Sequence, residues 1–224
     1  MGVHDGHRER LRNRFLSFGL DSLEDHEVLE LLLFFCIHRK DTNALAHELL
    51  NTFGSLDAVM DASLSELTTI KGISDHTAHL LLLCKPLCRR YMIRQNNDKR
   101  ALITTELYSK YIMPYFFGAK VEQVYLLCLD AKAKPLCCRE LSEGGTLSSS
   151  LSIRKAAQIA LDCKAVSVIL AHNHPGGGTS PSENDRHATT ILKETLAPLG
   201  IQLIDHIIVS GNNFSSVMGG GFNY

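Results

Sequence analysis

Apolar residues recur at helical spacing through the first 95 positions and give way, beyond residue 120, to short runs of strand character. The first pattern predicts helices over residues 7–18, 25–37, 42–53, 56–61, 64–70 and 75–95, with turns at Gly19, at Arg39-Lys40-Asp41 and at Phe53-Gly54-Ser55. Residues 67–78, centred on Lys71-Gly72, have the cadence of a helix-hairpin-helix. Such a hairpin sets Gly72 and backbone N–H groups at a helix N-terminus, where a DNA phosphate could bind, or it serves as a packing or protein-docking element. A polar connector, residues 96–100, separates this part from a helix over 104–115 and then alternating strands and helices. The expected organisation is therefore a helical domain over 1–95 and an α/β domain over 102–224.

Two segments of the second part carry chemistry. The apolar run 165–171 reads as a strand ending in His172-Asn173-His174-Pro175. Side chains two apart on a strand share a face, so both imidazoles can reach one metal ion. Gly176-Gly177-Gly178 turns the chain, and Ser180-Pro181-Ser182-Glu183 reads as a helix start with Ser180 as N-cap, Pro181 first in the helix and Glu183 closing a capping box. Asp185 then falls in the second turn, where its carboxylate could swing back to the histidines. Two His and one carboxylate leave a tetrahedral Zn²⁺ an open position, as catalytic sites do. The second segment is the strand 122–130. Counted in twos from Glu122 it gives Val124, Leu126 and Cys128, an apolar face, and a carboxylate in line with such a face is costly unless it is paired, hydrogen-bonded, near a cation or able to reach solvent.

His172-x-His174-Pro175, then Ser182-x-x-Asp185, resembles the motif of the JAMM (MPN+) metalloproteases. His-Asn-His-Pro, the downstream stretch 203–208 and the N-terminal half resemble the bacterial RadC family in particular, from about Gly6 onward. The resemblance implies an α/β fold: an N-terminal all-α, helix-hairpin-helix-like domain, then a mixed-sheet JAMM/MPN domain of cytidine-deaminase-like architecture. It implies one Zn²⁺ per chain on His172, His174 and Asp185, Glu122 as the base that activates water, and Ser182 as hydrogen-bond donor to the oxyanion. The implied activity is a zinc metallopeptidase cutting a peptide or isopeptide bond in a protein or peptide substrate. The alternative is a DNA-associated repair or recombination accessory protein without hydrolase activity, with Lys71 and Gly72 as nucleic-acid contacts. A metal-dependent nuclease is a third reading, though many nucleases use a second metal. Asp205 and His206 are a rival ligand pair, read instead as closing the strand 201–204 against the site or as hydrogen-bonding the ligands. One departure from the family is Arg154-Lys155 where it usually has Arg-Glu. The lysine is expected at a helix start, where the macrodipole favours an acid.

Composition narrows the choice. Residues 1–100 hold 13 Lys+Arg against 14 Asp+Glu, and the remainder 10 against 10, so neither part has the basic excess that drives phosphate binding. Arginines at 8, 10, 12 and 14 spread around a helix rather than forming one stripe. Seven cysteines, an odd number, argue against a complete disulfide framework. Cys84 and Cys88 on a helix, or the neighbours Cys137-Cys138, could hold a structural metal, but buried thiols are the simpler reading. No run nears 18 uncharged apolar residues and the start lacks an apolar signal core, which predicts a cytoplasmic protein off the membrane.

Overall fold

In the computed structural model, which describes residues 3–38, 40–96, 100–143 and 150–219, the helical spacing becomes α1 (Val3–Phe18), α2 (Asp25–Leu33), α3 (Asn43–Phe53), α4 (Leu56–Asp61), α5 (Leu64–Leu67) and α6 (Asp75–Gln95). α2 and α5 end earlier than the apolar pattern predicts. Beyond Leu33 the N–H groups of Phe35 and Cys36 reach carbonyls only three residues back, and after Leu67 those of Thr69 and Ile70 do the same, so both ends tighten into turns. α3 stops at Gly54, which takes the left-handed conformation (φ 93°) that a glycine adopts without steric cost. The chain divides into two units, Met1–Cys88 and Arg89–Tyr224, and α6 contributes to both. The first unit is built around Leu29, Leu33, Leu49, Val59, Leu67 and Leu81. Its α5–turn–α6 segment has the expected hairpin form, with Lys71 and Gly72 exposed and Gly72 at φ 107°.

The second unit is a mixed sheet with helices. Its elements are α7 (Thr105–Ile112), β1 (Gln123–Leu129), β2 (Pro135–Glu143), α8 (Ser150–Asp162), β3 (Ser167–Asn173), α9 (Glu183–Leu196), β4 (Gln202–Ser210) and β5 (Asn213–Ser216). α7 passes into a 3₁₀ turn, Met113–Phe116, at Pro114, which has no N–H to continue the helix. Strand order is β2-β1-β3-β4-β5; β3 and β4 run parallel and the other neighbours antiparallel. The fold is thus α/β with an all-α first part, as expected. The sequence between β2 and α8, Gly/Ser-rich over 143–150, reads as a loop, and its residues 144–149 lie outside the described residues.

Alternation along the strands sorts the sheet into two cores. Val124, Leu126, Cys128, Val168 and Leu170 pack with Ile153, Ala156 and Ala160 of α8 and Ala188, Leu192 and Leu196 of α9. Tyr125, Leu127, Leu129, Ile169 and Ala171 pack on the other side with Tyr108, Tyr111 and Ile112 of α7. Each fully buried Leu or Ile contributes about 1.5–3 kcal/mol, which holds the strand ends that carry the polar groups. A register shift between Val168 and Ile169 skips Ile204, pairing Val168 with Leu203 and Ile169 with Asp205. Asp205 thereby meets Tyr108, while His206 meets His172. Among the described residues no helix is long and apolar enough to cross a membrane.

Candidate metal centre

β3 delivers His172 in the same alternation as Val168 and Leu170, and the ring is 2% exposed. Its Nδ1 lies 2.8 Å from His206 Nε2, and His206 Nδ1 lies 2.6 Å from Thr189 Oγ1. Burial holds both rings neutral. It pushes His172 down to about 4, with Asp185 opposing and His174 adding, and His206 down to about 3. Thr189 donates its hydroxyl hydrogen to the Asp185 carbonyl at 2.5 Å, so its oxygen accepts from His206 Nδ1–H. His206 Nε2 must then accept from His172 Nδ1–H, which leaves the lone pair of His172 on Nε2. His174 Nδ1 is 2.9 Å from the Gly178 carbonyl, which only accepts, so Nδ1 carries a hydrogen and Nε2 is the atom turned towards His172.

Those two Nε2 atoms face each other at 2.9 Å, with Asp185 Oδ1 3.3 Å from the first and Oδ2 3.8 Å from the second. Three ligand-type side chains thus converge on one point. Two imidazoles with a carboxylate form a donor set that suits zinc. Asp185 is prepared for the role. Burial pushes its carboxyl up, but hydrogen bonds from the Ser182 hydroxyl and N–H hold it below the usual carboxylate range. Both Ser182 bonds end on Oδ2, at 2.7 and 2.8 Å, and leave Oδ1 for an ion. A cavity of about 540 Å³ opens beside His174 and Pro175, with Phe116, Phe117 and Asn212 among its lining residues.

The family model described as a RadC-like JAB domain matches residues 103–222, and that of the UPF0758 N-terminal region matches residues 6–79. The chain belongs to the RadC family. A UPF0758 protein of Fusobacterium nucleatum is 34% identical over 96% of this chain and 96% of its own length. Another, from Janthinobacterium sp., is 33% identical over 93% of each, and one from Burkholderia thailandensis is 32% identical over 96% of this chain and 82% of its own. RadC membership brings a metallohydrolase-type fold, and His172, His174 and Asp185 are a residue group able to hold a metal within it.

Within this RadC chain the residues singled out from sequence sort clearly. His172, His174, Asp185 and Ser182 come together. Glu122 stands just before β1, half-buried and within electrostatic range of the group; burial first, and then the Asp185 charge, push its carboxyl up while His174 pulls it down. Lys71 and Gly72 lie in the other unit. The helix start differs from the expectation. Ser182, not Ser180, is the N-cap, and α9 begins at Glu183. Ser182 is extended (φ −77°, ψ 168°) and accepts from the Asp185 N–H at 3.1 Å, while the Asp185 carboxylate returns to the Ser182 N–H. That reciprocal box needs its acid three residues after the cap, so Asp185 sits in the first turn and not the second. Lys155 is likewise not at a helix start. α8 begins at Ser150, and the lysine ammonium donates to the Leu141 carbonyl at 2.8 Å.

Asp205 and His206 belong to β4, which runs on to Ser210, so they do not close a strand at 204. Neither joins the three converging atoms. Asp205, fully buried, accepts from the Tyr108 hydroxyl, the Ser216 hydroxyl and the His206 N–H, each at 2.7 Å. Asn173 was not singled out by the sequence reading, although it stands between the two histidines. Its Oδ1 accepts from the Gln123 N–H at 2.7 Å and its Nδ2 donates to the Val121 carbonyl at 3.2 Å. One carboxamide thus grips the backbone on both sides of Glu122. The odd-numbered position, facing away from the ligands, was the available signal.

Proposed function

We propose that this chain is a zinc-dependent hydrolase that cleaves a peptide or isopeptide amide, with zinc on His172, His174 and Asp185. The observation that carries the reading is the pair of imidazole Nε2 atoms facing each other across 2.9 Å with the Asp185 carboxylate beside them. When bound, zinc supplies Lewis acidity and a water acidic enough to ionise near neutral pH. Glu122 takes the proton of the attacking water on its carboxylate and returns it to the leaving amine. Ser182 donates its hydroxyl to the carbonyl oxygen as negative charge develops there. Turning that hydroxyl away from Asp185 leaves the carboxylate its backbone partner, the Ser182 N–H. The cavity beside His174 offers apolar and aromatic walls to the substrate chain. The balanced charge of residues 1–100 favours a protein-binding over a DNA-binding role for the helical unit.

The test is hydrolysis of a panel of peptide and isopeptide-linked substrates by zinc-loaded and chelated protein. Chelation is expected to abolish cleavage and about one equivalent of zinc to restore it. Cleavage that survives complete chelation contradicts the reading. Asn173→Ala gives a second expectation. Releasing the grip on residues 121 and 123 lets Glu122 wander, so kcat falls roughly 10–100-fold while zinc content stays at the wild-type level. Two orphaned backbone groups also lower stability by about 1–3 kcal/mol, visible as a reduced Tm. Unchanged kcat in a variant with reduced Tm would make Asn173 a structural residue only.

A further inference from the structure

A second cluster of ligand-type side chains lies at the opposite end of β1 from Glu122. Cys128 of β1 stands directly across from Cys137 of β2, and Cys163 follows α8. Just beyond α8 stands a left-handed residue, Lys164 (φ 53°), with the Lys164 N–H donating to the Leu161 carbonyl and the Ala165 N–H to the Ala160 carbonyl, each at 2.9 Å. That turn seats Cys163 against the sheet. The three sulfurs lie within 4.8 Å of one another. Cys128 is fully buried, while Cys137 and Cys163 are half-buried and leave the cluster reachable from solvent. Cys138, the sequence neighbour of Cys137, points to the other core, so the sequence pair Cys137-Cys138 does not form a site together. Cys84 and Cys88 are not part of the cluster.

We propose that Cys128, Cys137 and Cys163 form a trithiol site for a soft trivalent species of the arsenite class, which makes three sulfur bonds and carries no net charge once bound. The choice of charge follows from the surroundings. The cluster is part of the apolar core between the sheet and α8 and α9. Three thiolates around a monovalent or divalent ion leave net negative charge there, and burying unpaired charge is expensive. Three thiolates around a trivalent centre leave none. Burial also favours the protonated thiol at two of the three, pushing Cys137 up to about 11 and Cys128 further. Thiols suit the exchange. Arsenous acid, As(OH)₃, reacts with three thiols to give As(SR)₃ and three waters. Three As–O bonds break, three As–S bonds form, each thiol proton leaves on a departing hydroxide, and no oxidation state changes.

The test titrates the reduced chain with arsenite alone and reads arsenic retention and adduct mass by native mass spectrometry. Wild type is expected to retain about one arsenic per chain with three hydrogens lost, because the third bond forms intramolecularly. Cys163→Ser, at the reachable edge of the cluster, and Cys137→Ala are each expected to weaken retention by roughly 10²-fold or more. Cys88→Ser and His174→Ala are expected to match wild type, which separates this site from the histidine centre. No retention by wild type, an adduct that has lost only two hydrogens, or retention at the wild-type level in Cys163→Ser or Cys137→Ala overturns the proposal.

Discussion

Glu122→Gln is expected to lower amide hydrolysis by roughly 10²–10⁴-fold while leaving zinc content at the wild-type level. The carboxamide keeps the size and shape of the side chain but cannot accept and return a proton. The site is arranged to make that loss visible. Glu122 is half-buried just ahead of β1, its backbone held on both sides by Asn173, and burial together with the Asp185 charge raises its proton affinity. A base of raised proton affinity is better matched to exchange near neutrality than an ordinary exposed carboxylate. The measurement is kcat and kcat/KM for a cleaved substrate, beside elemental analysis of the same preparation. Loss of zinc together with activity would make Glu122 a ligand; full activity would remove it from the mechanism.

His206→Phe is expected to weaken zinc binding by roughly 10–100-fold. His206 touches no candidate zinc position, but it is the only acceptor found for His172 Nδ1–H among the described residues, at 2.8 Å. Without it the His172 proton has no reason to stay on Nδ1, and the Nε2 lone pair is no longer guaranteed. Phenylalanine fills the same space in the sheet while removing both ring nitrogens. His206→Gln offers a carboxamide oxygen to the His172 N–H and is expected to recover part of the affinity. The readout is zinc affinity by competition with a chromophoric chelator, with Tm as the control for folding. Equal affinity in His206→Phe and wild type would show that the chain Thr189–His206–His172 sets no tautomer.

Much of this site is legible in the sequence because its chemistry is local. His172 and His174 two apart at a strand end, Ser182 and Asp185 three apart at a helix start, and Glu122 in line with an apolar strand face all follow from the periods of strands and helices. Two capping boxes could be drawn on the segment 180–185, one from Ser180 to Glu183 and one from Ser182 to Asp185. Only the second uses the carboxylate that also faces the histidines, and that choice depends on tertiary placement. The support behind the ligands is invisible for a related reason. His206 reaches His172, and Asp205 turns away to Tyr108, only because β4 slips one residue against β3 at Ile204. No composition signal marks that slip. The Asn173 clamp spans 50 residues of sequence, and the Cys128–Cys137–Cys163 cluster needs the β1–β2 register, so spacing alone could single out neither.

The central claim is a single zinc site built from His172, His174 and Asp185. Elemental analysis of wild type, His174→Ala and Glu122→Gln after metal-replete purification tests it most directly. The account predicts about one zinc per chain in wild type and in Glu122→Gln, and its loss in His174→Ala. Wild type without zinc, or His174→Ala with as much zinc as wild type, would contradict it.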